Sequence, residues 1–222
     1  MRCFLGLDLA VSEKLALDSW RQQALPEITS SMPCYHGDRK LGNGKLAGKK
    51  GNQKSGSREF TNTAPYAVDP ANYHITLCFL GQITPRQHEA LMNELDNLAH
   101  SPFSVDLDSS GIWNGPKILF AAPSSPPNEL MQLARSARKA ARRAAIEVDS
   151  REYKPHVTVV RKATTALPMP LYAPHVDVQA SAFHLFESVS TPQGVRYPIR
   201  QSWPLKHAMT VREKLRRGIT DE

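Results

Sequence analysis

Two short segments of the chain, His74-Ile75-Thr76-Leu77 and His156-Val157-Thr158-Val159, repeat one pattern. In an extended strand residues i and i+2 share a face. Histidine and threonine therefore project together, while Ile75, Leu77, Val157 and Val159 face a core. The chain has eight histidines, so His-x-Thr is expected less than once by chance. Two copies with aliphatics at the same intervening positions are a signal. If the two strands lie side by side across a cleft, two imidazoles and two hydroxyls converge on one pocket. That set suits acid–base work on a phosphodiester: one imidazole takes a proton from an attacking water or hydroxyl, and the other protonates the departing alkoxide. The Thr76 and Thr158 hydroxyls can donate to the nonbridging oxygens, where negative charge grows in the transition state. Arg161, three residues past Thr158, adds a cationic clamp. No carboxylate–histidine ligand set accompanies these residues, so neither a metal nor a cofactor is expected.

The elements that must position these residues follow from patterning. Residues 3–9 read as a buried strand and 12–25 as a helix with Ser12 as N-cap and Leu15, Leu17 and Trp20 apolar. Residues 73–80 form the first His-led strand, and Thr84-Pro85 opens a helix to about residue 99. Strands are expected near 103–112 and 117–122, and a helix over 128–147. Leu130, Leu133, Ala137, Ala141 and Ala144 give this last helix an apolar side, and Arg135, Arg138, Lys139, Arg142 and Arg143 a cationic one. Residues 156–160 form the second His-led strand. Residues 175–187 and 195–200 read as a hairpin-like pair around Thr191-Pro192-Gln193-Gly194. Strand–helix–strand order in each half gives an α+β fold of two related lobes. Cys78, four residues after His74, falls on the histidine's strand face and is read as packing.

With 222 residues, 41% hydrophobic and 22% charged, the composition is that of an ordinary globular protein with no apolar run long enough to span a membrane. The N-terminus makes a poor secretory signal, and three cysteines give no disulfide framework, so a reducing cytoplasm is expected. The net charge of +7 is local: residues 36–62, 135–143 and 206–217 carry +5, +5 and +4. Such clustering suits a surface that meets a polyanion. Residues 30–66, with glycines among lysine, serine and asparagine, read as a long mobile insertion, and 206–222 as a basic tail to a single bilobal domain over 1–205.

The chain resembles the two-histidine (2H) phosphoesterase superfamily, and within it the RNA 2′,3′-cyclic phosphodiesterases, historically called 2′-5′ RNA ligases. Beyond the tetrapeptides, Phe4-Leu5-Gly6-Leu7-Asp8 is similar to the family's first strand. The run Asp69-Pro70-Ala71-Asn72-Tyr73-His74 through Gly81 is similar to its first motif block, and Lys154-Pro155-His156 through Lys162 to the second. Gly194-Val195-Arg196-Tyr197-Pro198 and Trp203-Pro204-Leu205 resemble its C-terminal hairpin. The resemblance covers residues 2–28 and 66–205. It implies two pseudo-twofold lobes of antiparallel sheet flanked by helices around a central cleft. It also implies metal-independent opening of a 2′,3′-cyclic phosphate on an RNA end to leave a 2′-phosphate, with slow reversal as 2′-5′ ligation. By the same resemblance His74 is the acid for the O3′ leaving group and His156 the base for water, two roles that can exchange with the direction of reaction. Thr76, Thr158 and Arg161 bind the phosphate. Partners are then RNA ends or oligonucleotides with a 2′,3′-cyclic phosphate, met by a monomer away from any membrane. Phe4, stacking on a terminal base, and Arg135, Arg138 and Arg142, tracking a phosphate backbone, are the expected RNA contacts. Two other readings are a 2H phosphodiesterase for another small cyclic or 2′-5′-linked nucleotide, and a non-catalytic RNA-binding module.

Overall fold

The computed structural model describes residues 1–25, 28, 64–164, 167–192 and 194–206. Most of the basic insertion, the basic run 207–217, Cys34 and Gln193 lie outside the described residues. Among the described residues, twelve strands, three α-helices and a short 3₁₀ turn at Pro70–Asn72 occur in the order β1 (Arg2–Asp8), α1 (Val11–Ala24), β2 (Tyr66–Ala67), β3 (His74–Gln82), α2 (Pro85–Asp96), β4 (Phe103–Leu107), β5 (Ser109–Trp113), β6 (Ile118–Ala122), α3 (Asn128–Arg143), β7 (Val157–Arg161), β8 (Val176–Ala180), β9 (Ala182–Glu187), β10 (Val189–Thr191), β11 (Gly194–Arg196) and β12 (Ile199–Pro204). None of the described helices is long and apolar enough to cross a membrane.

The two His-led strands sit in separate antiparallel sheets. Strand β3 is the edge of a sheet ordered β12-β9-β1-β3, and β7 lies inside a second sheet ordered β2-β7-β6-β5. Where the sheets meet, β3 and β7 approach within 8 Å at Cα. The short β2 strand, the 3₁₀ turn and β3 follow one another directly, so the chain crosses from one sheet to the other within a few residues. Alternation is kept where the motifs need it: Ile75, Leu77, Val157 and Val159 are buried to 1% exposure or less, and their neighbours His74, Thr76 and Thr158 are half-buried. The core between sheets and helices is apolar and continuous, including Leu5, Leu7, Leu17, Leu119 and Leu133.

Several elements differ from their sequence patterns for identifiable reasons. Helix α1 starts at Val11 with Ala10 as N-cap rather than Ser12; the Ala10 N–H donates to Glu13 Oε2 at 2.6 Å, so the acid at the third helical position supplies the missing cap bond. Leu15 is 61% exposed, since it stands about 200° from Leu17 around the helix. Helix α2 begins as expected, with Thr84 Oγ1 accepting from Gln87 N and Pro85 in the first turn. Helix α3 stops at Arg143 because Ala145 turns left-handed (φ 56°) and the Ile146 N–H closes back on Ala141 O at 3.0 Å. The expected strand 103–112 divides at Asp108, whose carboxylate accepts from Ser124 N and Oγ. The C-terminal region is not one hairpin: β8 pairs with β4, β9 lies between β1 and β12, and only the short β10–β11 pair flanks Pro192. The insertion also ends earlier than its glycine pattern suggests, since Tyr66 already pairs with Arg161.

Candidate active site

The face of β3 that carries His74 and Thr76 and the face of β7 that carries Thr158 and Arg161 open into one cavity of about 630 Å³, whose walls also include His156 at the start of β7. All five residues singled out for phosphate chemistry thus line a single cleft. A second, smaller cavity of about 180 Å³ lies on the other side of His74, against Asp8 and Lys14.

Both imidazoles are held in the same way. His74 Nδ1 lies 2.7 Å from the Asn72 carbonyl oxygen, and His156 Nδ1 lies 2.8 Å from that of Lys154. A carbonyl only accepts, so each neutral ring carries its proton on Nδ1 and presents a bare Nε2. His74 Nε2 is 3.1 Å from Thr76 Oγ1, and this hydroxyl donates to it. The two residues thus meet inside the cleft as the i, i+2 spacing predicts.

Aromatic rings from distant parts of the chain form the walls behind the imidazoles. His74 packs on Phe4 (ring centroids 4.6 Å apart), Tyr197 (5.1 Å, edge-on) and Phe186 (5.7 Å). His156 packs on Trp113 (4.6 Å) and Phe120 (5.8 Å), both edge-on. Burial among these rings pushes His74 down to about 4, with the positive charges of Arg161 and His156 acting in the same direction. Burial also lowers His156, again reinforced by Arg161. Arg161 faces both imidazoles across one small volume, so its charge disfavours a proton on each of them. An anion placed there reverses it. Tyr197 joins the two sides: Arg161 Nη2 donates to its hydroxyl at 3.4 Å while its ring edge abuts His74. Nothing in the spacing of the sequence pointed to Tyr197, Trp113 or Phe186, whose partners lie far away in the chain.

Two sequence expectations are corrected. Cys78 does not share the His74 face. Register jumps from Gly6↔Thr76 to Leu5↔Cys78, so Leu77 is an extra residue in a β-bulge, and Leu77 and Cys78 both turn into the core. Burial pushes the Cys78 thiol up to about 11, as befits packing. Phe4, expected to offer a stacking face, is 4% exposed and enclosed by His74, Phe186 and Tyr197; it supports the histidine. Phe4 and Phe79 both line the cavity, Phe79 with far more of its ring exposed.

The α3 arginines also lie elsewhere. The helix packs behind β3, on the face opposite the cleft, where the charges of Arg138 and Arg142 act on Cys78. Arg138 donates to the Arg151 carbonyl at 3.0 Å and sits 5.5 Å from the Tyr153 ring centroid. Arg135 is exposed on the same helix and, like Arg138 and Arg142, does not line the cleft.

Over the cleft, the β10–β11 hairpin is tied to the segment before β3. Asn72 Nδ2 donates to the Val195 carbonyl at 2.9 Å, and Arg196 pairs with Asp69. Among the described residues, no three His, Cys, Asp or Glu side chains gather into a metal-binding group.

A bilobal frame with paired His-x-Thr faces on one cleft defines a 2H-type phosphoesterase, and comparison with known proteins agrees. Residues 57–119 match the family model described as LigT like Phosphoesterase. The chain is 33% identical over 129 residues to the RNA 2′,3′-cyclic phosphodiesterase of Bacillus subtilis, covering 54% of this chain and 70% of that one. It is 29% identical over 141 residues to the enzyme of the same name from Escherichia coli, covering 64% and 79%. Among solved structures, E. coli LigT complexed with 3′-AMP superposes with a TM-score of 0.69 at 23% identity, covering 92% of this chain and 97% of that one. The chain belongs to the LigT-like phosphoesterase family.

Proposed function

We propose that this protein is an RNA 2′,3′-cyclic phosphodiesterase: it opens the terminal cyclic phosphate with water to leave a 2′-phosphate and a free 3′-hydroxyl. The observation that carries the reading is that both His-x-Thr faces and Arg161 line one cavity. In the proposed step one Nε2 removes a proton from water, whose oxygen forms the new bond to phosphorus. The P–O3′ bond breaks, and the other imidazole, protonated at Nε2, delivers its proton to O3′. Thr76, Thr158 and Arg161 hold the nonbridging oxygens, where charge accumulates. Burial favours neutral imidazoles, the form a base needs. The acid partner gains its proton when the phosphate anion enters and offsets that burial. Following the resemblance, we assign the acid to His74 and the base to His156, and 2′-5′ ligation to the same groups run in reverse. No step requires a metal or cofactor. We place the reaction in the cytoplasm, carried out by a monomeric domain over residues 1–205, with the basic residues 36–62 and 206–217 supplying charge for the RNA.

The test is end-group analysis of RNA bearing a 2′,3′-cyclic phosphate, incubated with the protein in EDTA. A 2′-phosphate product is expected. Failure to open the ring, with cleavage of a 2′-5′-linked or other cyclic nucleotide instead, reassigns the substrate within the family. Binding without turnover of any of these leaves a non-catalytic RNA-binding module.

A further inference from the structure

Strand β1 alternates without interruption. Both irregularities in its pairing with β3 are extra residues on the β3 side, Leu77 and Leu80. Cys3, Leu5 and Leu7 therefore stay buried, while Arg2 shares the face of Phe4 and lines the cleft with it. The Arg2 backbone is held on both sides: it pairs with Gln82 of β3, and its carbonyl accepts from Ser188 N at 2.8 Å. Its side chain is exposed and, among the described residues, forms no ion pair. Glu187, the acid nearest in register, is taken by Arg200, whose Nε donates to it at 2.7 Å. The other two arginines on the cavity wall have partners: Arg196 pairs with Asp69, and Arg161 reaches the Tyr197 hydroxyl beside His74. Arg2 lies four residues along β1 from Gly6, which pairs with Thr76; that is roughly 13 Å at Cα. The arginine arm spans part of this interval, which leaves its guanidinium about one nucleotide from the reacting phosphate. An unpaired guanidinium on a fixed backbone, in the wall of a cavity that already has one anion site, suits a second anion.

We propose that Arg2 binds the internucleotide phosphate on the 5′ side of the terminal nucleotide, and so makes the site selective for oligonucleotide ends over cyclic mononucleotides. The inference rests on the reading of the cleft as the site of a terminal phosphate and adds which neighbouring group of the RNA is recognised. A phosphate contact carries no sequence information, so the selectivity is for chain length and charge and is indifferent to base.

The test uses a pair of dinucleotides ending in a 2′,3′-cyclic phosphate, both with a 2′-O-methyl on the first ribose. One has the natural anionic linkage, and the other an uncharged methylphosphonate linkage. Product forms ending in a 2′-phosphate serve for calorimetry. Wild type should favour the anionic linkage roughly 5- to 20-fold in kcat/KM and in affinity, the scale of one exposed charge-assisted contact. Arg2→Ala and Arg2→Gln should abolish that preference, and Arg2→Lys, which keeps the charge, should retain part of it. The salt dependence of binding to the anionic dinucleotide should also lose about 0.7 in log–log slope in Arg2→Ala, one single-strand phosphate contact. The proposal is overturned if wild type treats the two linkages alike, or if Arg2→Ala keeps the wild-type preference. Binding and turnover separate the two readings. A charge preference in binding that depends on Arg2, without ring opening, would keep the subsite and remove the proposed reaction. Ring opening with no charge preference would do the opposite.

Discussion

The two halves of the cleft use one tetrapeptide pattern and surround it differently. His74 sits on a nine-residue edge strand, walled by three aromatic rings from three separate strands or loops and bonded to its own threonine. His156 precedes a five-residue internal strand and leans on Trp113 of β5 and Phe120 of β6, whose rings pack on each other at 4.4 Å. The backbone anchor is the same on both sides, a carbonyl two residues earlier holding Nδ1. The motif therefore fixes tautomer and direction, while the tertiary wall sets how costly the imidazolium is. Burial disfavours the imidazolium at both, so whichever histidine acts as the acid holds its proton only once the phosphate anion is bound.

Removing either side breaks the pair outright. His74→Ala and His156→Ala are each expected to lower turnover by at least ~10²-fold, the scale of a lost general acid or base. Steady-state assay of cyclic-phosphate RNA reads this, and the double variant should fall little below the singles, since the groups act as one unit. Loss on only one side would mean the pairing is not functional.

Acidity sharpens the comparison. Burial lowers both imidazoles below their usual 6.5, His74 to about 4. The singly protonated pair of the free enzyme therefore grows as pH falls below neutrality. The alkaline limb of kcat/KM should lie below pH 6.5. A bound phosphate anion raises both groups, so the kcat profile should be displaced to higher pH. Coincident profiles would mean that the anion does not lie between the imidazoles. The same shift has a consequence for folding. Between pH 6.5 and about 4 the unfolded chain takes up a proton that native His74 refuses, so stability falls with acid over that window.

The smallest effect distinguishes the two walls. A Cβ on Gly6 would come 2.9 Å from the Ile75 carbonyl oxygen, rigid backbone behind His74, whereas on Gly111 it would meet the Phe120 ring at 2.9 Å. Gly6→Ala should cost about 1–3 kcal/mol by overpacking, and Gly111→Ala less, because a side chain can move aside. Denaturant melts of both variants check the order.

How far the sequence carried the account differs along the same lines. The His-x-Thr faces, the Thr84 cap and the apolar side of α3 are local patterns, and all are present in the fold. Cys78 turns into the core rather than onto the histidine's face because a bulge inserts one residue into the alternation, and no composition signal marks it. Trp113, Phe186 and Tyr197 were missed as imidazole supports because they reach the site through β5, β9 and the loop after β11, contacts that only strand order establishes. The α3 arginines were grouped correctly on one helix face, yet periodicity alone does not say which side of a sheet the helix covers.

The central claim is that a single phosphorus is held between two imidazoles. Histidine ring resonances followed by NMR through a titration with adenosine 2′-phosphate test it most directly. The account predicts that the signals of His74 and His156 move together with one dissociation constant and that both pKa values rise. Movement of one ring alone, or of both with separate constants, would contradict it.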